Sequence, residues 1–200
     1  MSRIIAGIAG GTTLASVPGS ATRPTTDRVK EALFSRLDAL GMISRSRVLD
    51  LFAGSGALGV EAASRGASTA ELVEADPKAV RVCERNARLA NDALGRRAVT
   101  VHRSKVAGFL EHTLPGRHWD LVFMDPPYPL GEEPLSAVLT ALVPHLAEDA
   151  LVVVERSSRS PEPAWPEGLV LFAEKKYGET RLWFAEPVPT PSEPPATVGA

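Results

Sequence analysis

The sequence predicts an α/β fold: a seven-stranded, mostly parallel sheet with one antiparallel strand, preceded by an N-terminal β-hairpin and helix. Three observations lead there. Apolar runs of strand length alternate with amphipathic helical stretches five times between residues 47 and 155, the pattern of parallel crossover units. The first run ends in a glycine turn that opens directly into a helix. The last two apolar runs are joined only by Gly178-Glu179. That link is too short for a crossover, so the two runs form a hairpin that places one antiparallel strand in the sheet.

Taken in order, residues 3–17 alternate imperfectly around Gly10-Gly11, which fits a short hairpin. A helix is expected over 26–40, where Val29, Ala32, Leu33, Leu37 and Leu40 form one stripe, capped by Thr25 or Thr26 and ended by Gly41. A strand over 47–52 leads through the glycine turn to a helix closed by Gly66. A second strand covers 70–75, and Asp76-Pro77 start a helix reaching about residue 91. A strand over 98–102, a short helix over 106–114, a strand over 119–124, a helix over 134–146 and a strand over 150–155 follow. The hairpin strands are 169–177 and 180–185. Residues 1–41 thus read as an N-terminal extension and 42–186 as the main domain. The tail over 187–200, with five prolines in fourteen residues, is expected to be disordered.

Composition narrows the function classes. With 44% apolar and 23% charged residues, the 200-residue chain suits one globular domain. The apolar start of the chain superficially mimics a secretory signal, but Gly7, Gly10, Gly11, Thr12 and Thr13 dilute it. A soluble, cytoplasmic protein is expected. Cys83, the lone cysteine, leaves no internal disulfide and reads as a core residue of its helix. The four histidines show no metal-ligand spacing, so no metal is expected. The net charge is −2, but residues 1–47 carry seven basic against three acidic residues, a basic segment that could face phosphates or simply be solvated.

Gly54-Ser55-Gly56-Ala57-Leu58-Gly59 follows the first strand, and Glu74 ends the second, twenty residues on. Glycines let backbone approach a ligand closely, and a carboxylate at the next strand end can accept both hydroxyl hydrogens of a ribose. Two cofactors compete for this pattern, a dinucleotide and S-adenosylmethionine. Asp50, an acid inside the strand, favours the second, because that cofactor carries an ammonium and a sulfonium instead of phosphate. Asp50 could also cap loop amides. Both roles are compatible.

Asp125-Pro126-Pro127-Tyr128 follows the fourth strand, whose carboxyl end faces the same crevice. The prolines stiffen the turn. The Pro126 carbonyl and the Asp125 carboxylate would be two acceptors for a planar NH2, and Tyr128 a face for stacking a base. This predicts methylation of an exocyclic amine. Alternatives are methylation of DNA adenine or of a protein amide, a dinucleotide-dependent oxidoreductase, and a non-catalytic RNA-binding protein.

With these motifs placed, the chain resembles the bacterial small-subunit ribosomal RNA guanine-N2 methyltransferases of the RsmD type, over roughly residues 3–185. Arg3-Ile4-Ile5-Ala6-Gly7, Arg23-Pro24-Thr25 with the segment 27–34, Leu49 through Gly56, Asp125–Tyr128 and Lys176-Tyr177-Gly178 with Thr180 carry the likeness. The resemblance implies a Rossmann-like class I methyltransferase fold, S-adenosyl-L-methionine as methyl donor and a guanine of 16S rRNA as substrate. The cofactor set expected is Asp50, Ala53, Gly54, Ser55 and Gly56, with Glu74 and Ala75, then Lys105 and Val106, and Asp125. The catalytic set is Asp125, Pro126, Pro127 and Tyr128. Arg3, Arg23 and Tyr128 are expected to face RNA. Many relatives of the wider class have an acid or amide after the third strand. Here Ser104-Lys105-Val106 stands there, so adenine recognition would fall to backbone. A monomer acting on 16S rRNA within a small-subunit assembly particle is the expected partnership.

Overall fold

A computed structural model describes residues 2–18, 27–127 and 130–189. Arg23 and Tyr128 therefore lie outside the described residues, as does the tail from residue 190. Seven strands form one sheet: β3 (Arg47–Leu51), β4 (Thr69–Glu74), β5 (Val99–Arg103), β6 (Trp119–Met124), β7 (Leu146–Ser157), β8 (Leu169–Tyr177) and β9 (Thr180–Pro187). Their order is β5-β4-β3-β6-β7-β9-β8. All pairings from β5 through β7 are parallel, and β9 runs antiparallel to both its neighbours.

Sequence already hints at why β9 is the inner strand of its hairpin. Leu182, Trp183, Phe184 and Ala185 are all buried, apolar on both faces, whereas β8 alternates and carries exposed Lys175 and Lys176. A strand covered on both sides must be apolar throughout; an edge strand needs only one such face.

The helices are α1 (Asp27–Ala39), α2 (Ala57–Ser64), α3 (Pro77–Leu94), α4 (Val106–Glu111) and α5 (Glu132–Leu142). They cover the two faces of the sheet, and strand residues divide between them with period two. Val48, Leu121, Phe123, Val153 and Phe184 join α1, α2 and α3 in one buried cluster. Leu49, Leu51, Val122, Met124 and Val154 join α4 and α5 in the other. Phe34 of α1 and Phe123 of β6 meet with ring centroids 5.7 Å apart.

The expected elements form, with shifted ends. Helix α5 starts two residues early, at Glu132, and gives way at Val143 to a 3-10 turn, where Pro144 stops the helix. Strand β7 then extends from Leu146, four residues before the expected start. Strand β9 reaches Pro187, and the Val188 amide donates to the Gly168 carbonyl, so the first residues of the proline tail belong to the sheet edge.

The N-terminal hairpin is wider than its Gly10-Gly11 pair suggests. Strands β1 (Ser2–Arg3) and β2 (Thr13–Leu14) pair antiparallel around a nine-residue loop. That loop lies on α2. Buried Glu61 accepts from the amides of Ile5 at 2.7 Å and Ala6 at 3.1 Å, and the Ile8 amide donates to the Ser64 carbonyl. Gly7 permits this contact: its φ is +84°, and a Cβ there would sit 1.9 Å from the Ser64 carbonyl oxygen. Lys30, itself 1% exposed, ion-pairs with Glu61 at 3.6 Å and donates to the Arg3 carbonyl. Ile4, Ala9 and Leu14 join the cluster formed with α1 and α2. No helix among the described residues is long and apolar enough to cross a membrane.

Candidate active site

Strand order reverses between β3 and β6: β4 and β5 lie to one side of β3, and β7 follows β6 on the other. In an open parallel sheet the crevice beyond the carboxyl ends of strands at such a reversal is where ligands bind. The glycine turn leaves β3 there, Glu74 ends β4 and Asp125 follows β6.

The turn begins one residue earlier than expected. Strand β3 stops at Leu51, and Phe52 adopts φ +61°, a left-handed conformation unusual for a bulky side chain. The Ala53 amide then donates to the Val73 carbonyl and the Gly56 amide to the Ala53 carbonyl. Gly56 caps α2 at φ +77°, and a Cβ there would lie 2.8 Å from Leu72 and 2.9 Å from the Cys83 sulfur. Its glycine is required by packing as well as by conformation.

Three carboxylates hold or face this turn. Asp50, 2% exposed, accepts from the Gly59 amide at 3.0 Å, so it caps α2 from inside the sheet. Burial, with the nearby Glu74 charge, lifts its carboxyl to about 7 against the opposing Gly59 hydrogen bond. Glu74 accepts from the Gly54 amide at 2.8 Å, and from Ala75 and Asp76 at 2.7 and 2.8 Å. Asp125 has its pKa raised well above the usual carboxylate range by burial and by the charges of Glu155 and Asp50. Glu155 stands beside it because Met124 of β6 pairs with Val154 of β7.

Burial raises Asp50 and Asp125 first, and the gathering of acids in one crevice adds an unfavourable repulsion. A positively charged ligand relieves it. An ammonium and a sulfonium, placed among Asp50, Glu74 and Asp125, suit the donor set better than a pyrophosphate would.

The remaining expected residues fall as follows. Ser55 and Gly56 lie in the turn beside Ala53 and Gly54, and Ala75 is exposed next to Glu74. Lys105 is exposed and starts α4, Val106 is buried, and the Ser104 amide donates to the Glu74 carbonyl, which brings this segment to the β4 end. Pro126 is buried and Pro127 exposed; the Pro127 carbonyl accepts from the Leu130 amide at 2.9 Å. Arg3 exposes its side chain on β1, at the start of the segment docked on α2.

Two residues that sequence reasoning passed over support the site. Asn86 of α3, fully buried, donates to the Ser55 carbonyl at 2.8 Å and exchanges two hydrogen bonds with the Ala15 backbone. Its signal was a lone amide in the apolar stripe of Ala79, Val80, Cys83, Ala87 and Ala90. Arg156, following Glu155, donates to the Leu130 carbonyl at 3.2 Å and to Glu132 at 2.6 Å, bracing the far end of the Asp125 loop. Cys83 is fully buried, and burial pushes its thiol up, which removes it as a nucleophile. Among the described residues no cluster of histidine, cysteine and acid residues is arranged to hold a metal.

A family model described as "Conserved hypothetical protein 95" matches residues 2–186. The chain belongs to this family. It is 35% identical over 190 residues to the "Putative rRNA methyltransferase YlbH" of Bacillus subtilis, covering 89% of this chain and 95% of that one. It is 37% identical over 179 residues to the "Ribosomal RNA small subunit methyltransferase D" of Escherichia coli, covering 88% and 85%. Among solved structures, the "Putative methyltransferase yhhF" from Escherichia coli superposes with a TM-score of 0.77 at 34% identity, over 92% of this chain and 97% of that one. The fold is that of the class I methyltransferases, with a separate N-terminal two-stranded sheet.

Proposed function

We propose that this protein transfers a methyl group from S-adenosyl-L-methionine to the exocyclic N2 amine of a guanine in 16S rRNA. One observation carries the reading: the glycine turn, Asp50, Glu74 and Asp125 meet at the same strand reversal. The relatives named as ribosomal RNA methyltransferases point the same way.

When bound, S-adenosylmethionine supplies an electrophilic methyl carbon on a positively charged sulfur. The chain's own residues do the rest. Glu74 would accept the ribose hydroxyls, and the backbone of Ala53, Gly54, Ser55, Gly56 and Ala75 would line the cofactor. Asp50 keeps α2 in place and sets negative potential for the ammonium. Lys105 and Val106 offer backbone groups to the adenine. Asp125 accepts one hydrogen of the guanine amine and the Pro126 carbonyl the other, which draws the nitrogen lone pair out of the ring plane. The rigid Pro126-Pro127 turn keeps these acceptors from relaxing. Asp125, unprotonated beside the positively charged sulfur, would take the proton that the amine sheds as the methyl arrives. Tyr128 stacks on the base, and Arg3 and Arg23 meet RNA phosphates. In this reading a monomer works in the cytoplasm on 16S rRNA within a small-subunit assembly particle.

The test uses small ribosomal subunits, and 16S rRNA stripped from them, from cells lacking the modification. Incubation with methyl-labelled cofactor and digestion to nucleosides should yield labelled N2-methylguanosine. Label on another nucleoside overturns the guanine-N2 assignment. Label on protein alone, or none, overturns RNA methylation.

A further inference from the structure

The positive charge of this chain is concentrated somewhere other than its N-terminus. Residues 77–105, from the start of α3 to just past β5, hold eight lysines and arginines and two acids, a net +6 in a chain whose total is −2. Helical periodicity gathers Lys78, Arg81, Arg85 and Arg88 along one side of α3, at steps of three, four and three residues, and all four are exposed. Arg97 and Arg103 continue the charge at the two ends of β5, also exposed. Strand β5 is a sheet edge, and between it and α3 runs a groove of about 840 Å³ bordered by Arg88, Arg96 and Arg97 and by the acids Glu84 and Asp92.

Several arginines elsewhere in the fold are committed to acids. Arg47 pairs with Asp120, Arg65 with Glu61, Arg117 with Glu71 and Arg156 with Glu132. Arg96 is also committed, donating to the carbonyls of Ala67 and Ser68. Among the described residues, Lys78, Arg81, Arg85, Arg88, Arg97 and Arg103 take part in no salt bridge. A row of like charges three and four residues apart repels itself, and the exposed acids of α3, Glu84 and Asp92, are two against its four exposed cations. Basic residues on an edge strand discourage sheet-to-sheet pairing, but that does not account for a row on the neighbouring helix.

We propose that α3 and the adjoining edge at β5 form a second contact surface for the substrate RNA, gripping its phosphate backbone outside the methyl-transfer crevice. The row begins at Lys78, four residues past Glu74, and runs away from the crevice for about 15 Å as far as Arg88. RNA bound in the crevice can therefore continue along the helix without a break. The row is cationic and carries no aromatic side chain, so it reads charge rather than base identity and positions the substrate instead of selecting a nucleotide. The proposal takes its partner from the RNA-methylation reading above.

The test compares the wild type with the triple variant Arg81→Gln/Arg85→Gln/Arg88→Gln. Both are titrated with a 16S rRNA transcript across a range of salt, with steady-state methylation and cofactor binding measured alongside. The expected result is a salt-dependence slope shallower by about 2–3, at about 0.7–0.9 for each phosphate that the variant no longer neutralises. The KM for RNA should rise tenfold or more while kcat and cofactor affinity stay as they were. An unchanged slope and KM in a variant of an active enzyme overturns the surface and leaves the methylation reading standing. A wild type that binds the transcript but never methylates it, with binding abolished in the variant, sinks the methylation reading and upholds the surface. A variant that keeps its RNA affinity yet no longer binds polyglutamate marks the face as a site for an acidic protein, and overturns the proposal.

Discussion

The side-chain amide of Asn86 donates to the carbonyl of Ser55 at 2.8 Å, while its own carbonyl accepts from the Ala15 amide at 2.9 Å. One buried amide on α3 thus fastens the glycine turn to the N-terminal segment. Asn86→Ala would leave three backbone groups without that partner. The expected cost is about 1–3 kcal/mol of stability, together with a raised Kd for the cofactor. Calorimetric titration and urea unfolding measure the two effects. A variant that loses stability but binds cofactor as tightly as the wild type would show that Asn86 supports the fold and not the turn.

Asp125→Ala should abolish turnover while cofactor binding persists, weakened by the loss of only one of the crevice's carboxylates. Single-turnover kinetics with RNA separates chemistry from binding. A rate near wild type would refute the amine grip. At Tyr128 the ring face is invoked, so Tyr128→Phe should be mild and Tyr128→Ala severe.

Asp50 sets a pH dependence of stability. Its carboxyl, at about 7 in the fold against 3.8 when unfolded, binds its proton more tightly in the native state. Below about pH 4 it is neutral in both states and carries no penalty. As pH rises from 4 to 7 the native state loses stability, on the order of 4 kcal/mol if the whole shift is realised. Asp125 shifts in the same direction and adds to this. Glu71 and Asp120, whose values are lowered, act at more acidic pH. Cofactor-free protein should therefore be more stable at pH 5 than at pH 7.5, and Asp50→Asn should flatten the trend. Urea midpoints at the two pH values decide it. A wild type that gains stability over that interval, in parallel with the variant, contradicts the argument.

Glu61→Ala should release the N-terminal segment. The change would strand the buried Lys30 ammonium, whose pKa burial already lowers despite Glu61, and would remove the acceptor of the Ile5 and Ala6 amides. Breaking such a buried pair costs about 3–5 kcal/mol. Limited proteolysis should cut within residues 2–18 far faster than in the wild type. Equal cutting would mean that the loop is held by its apolar contacts through Ile4, Ala9 and Leu14 alone.

Much of the architecture was legible in the residues. Periodicity located all five parallel strands and the four helices between them, and the short Gly178-Glu179 link required a hairpin and hence an antiparallel strand. Strand Trp119–Met124 and strand Leu169–Tyr177 have the bounds that their apolar patterns indicate. The ends that moved did so where backbone geometry, not hydrophobicity, decides. Phe52 looks like one more apolar strand residue, but the turn into the crevice starts at its positive φ. The nine-residue loop between β1 and β2 was hidden because its length is set by docking on Glu61 and Ser64, more than fifty positions away.

What the sequence determined unaided was the order of elements and the placing of the glycine turn, Glu74 and Asp125 at strand ends, because strand and helix periods and turns are local properties of a chain. Only the tertiary structure decided which groups meet. It joined Asn86 to Ser55, set Arg156 against the loop beyond Asp125, and aligned Glu155 with Asp125 through the pairing of β6 with β7. Burial and electrostatic coupling depend on distance in space, and residues more than twenty positions apart acquire that distance only when the sheet forms.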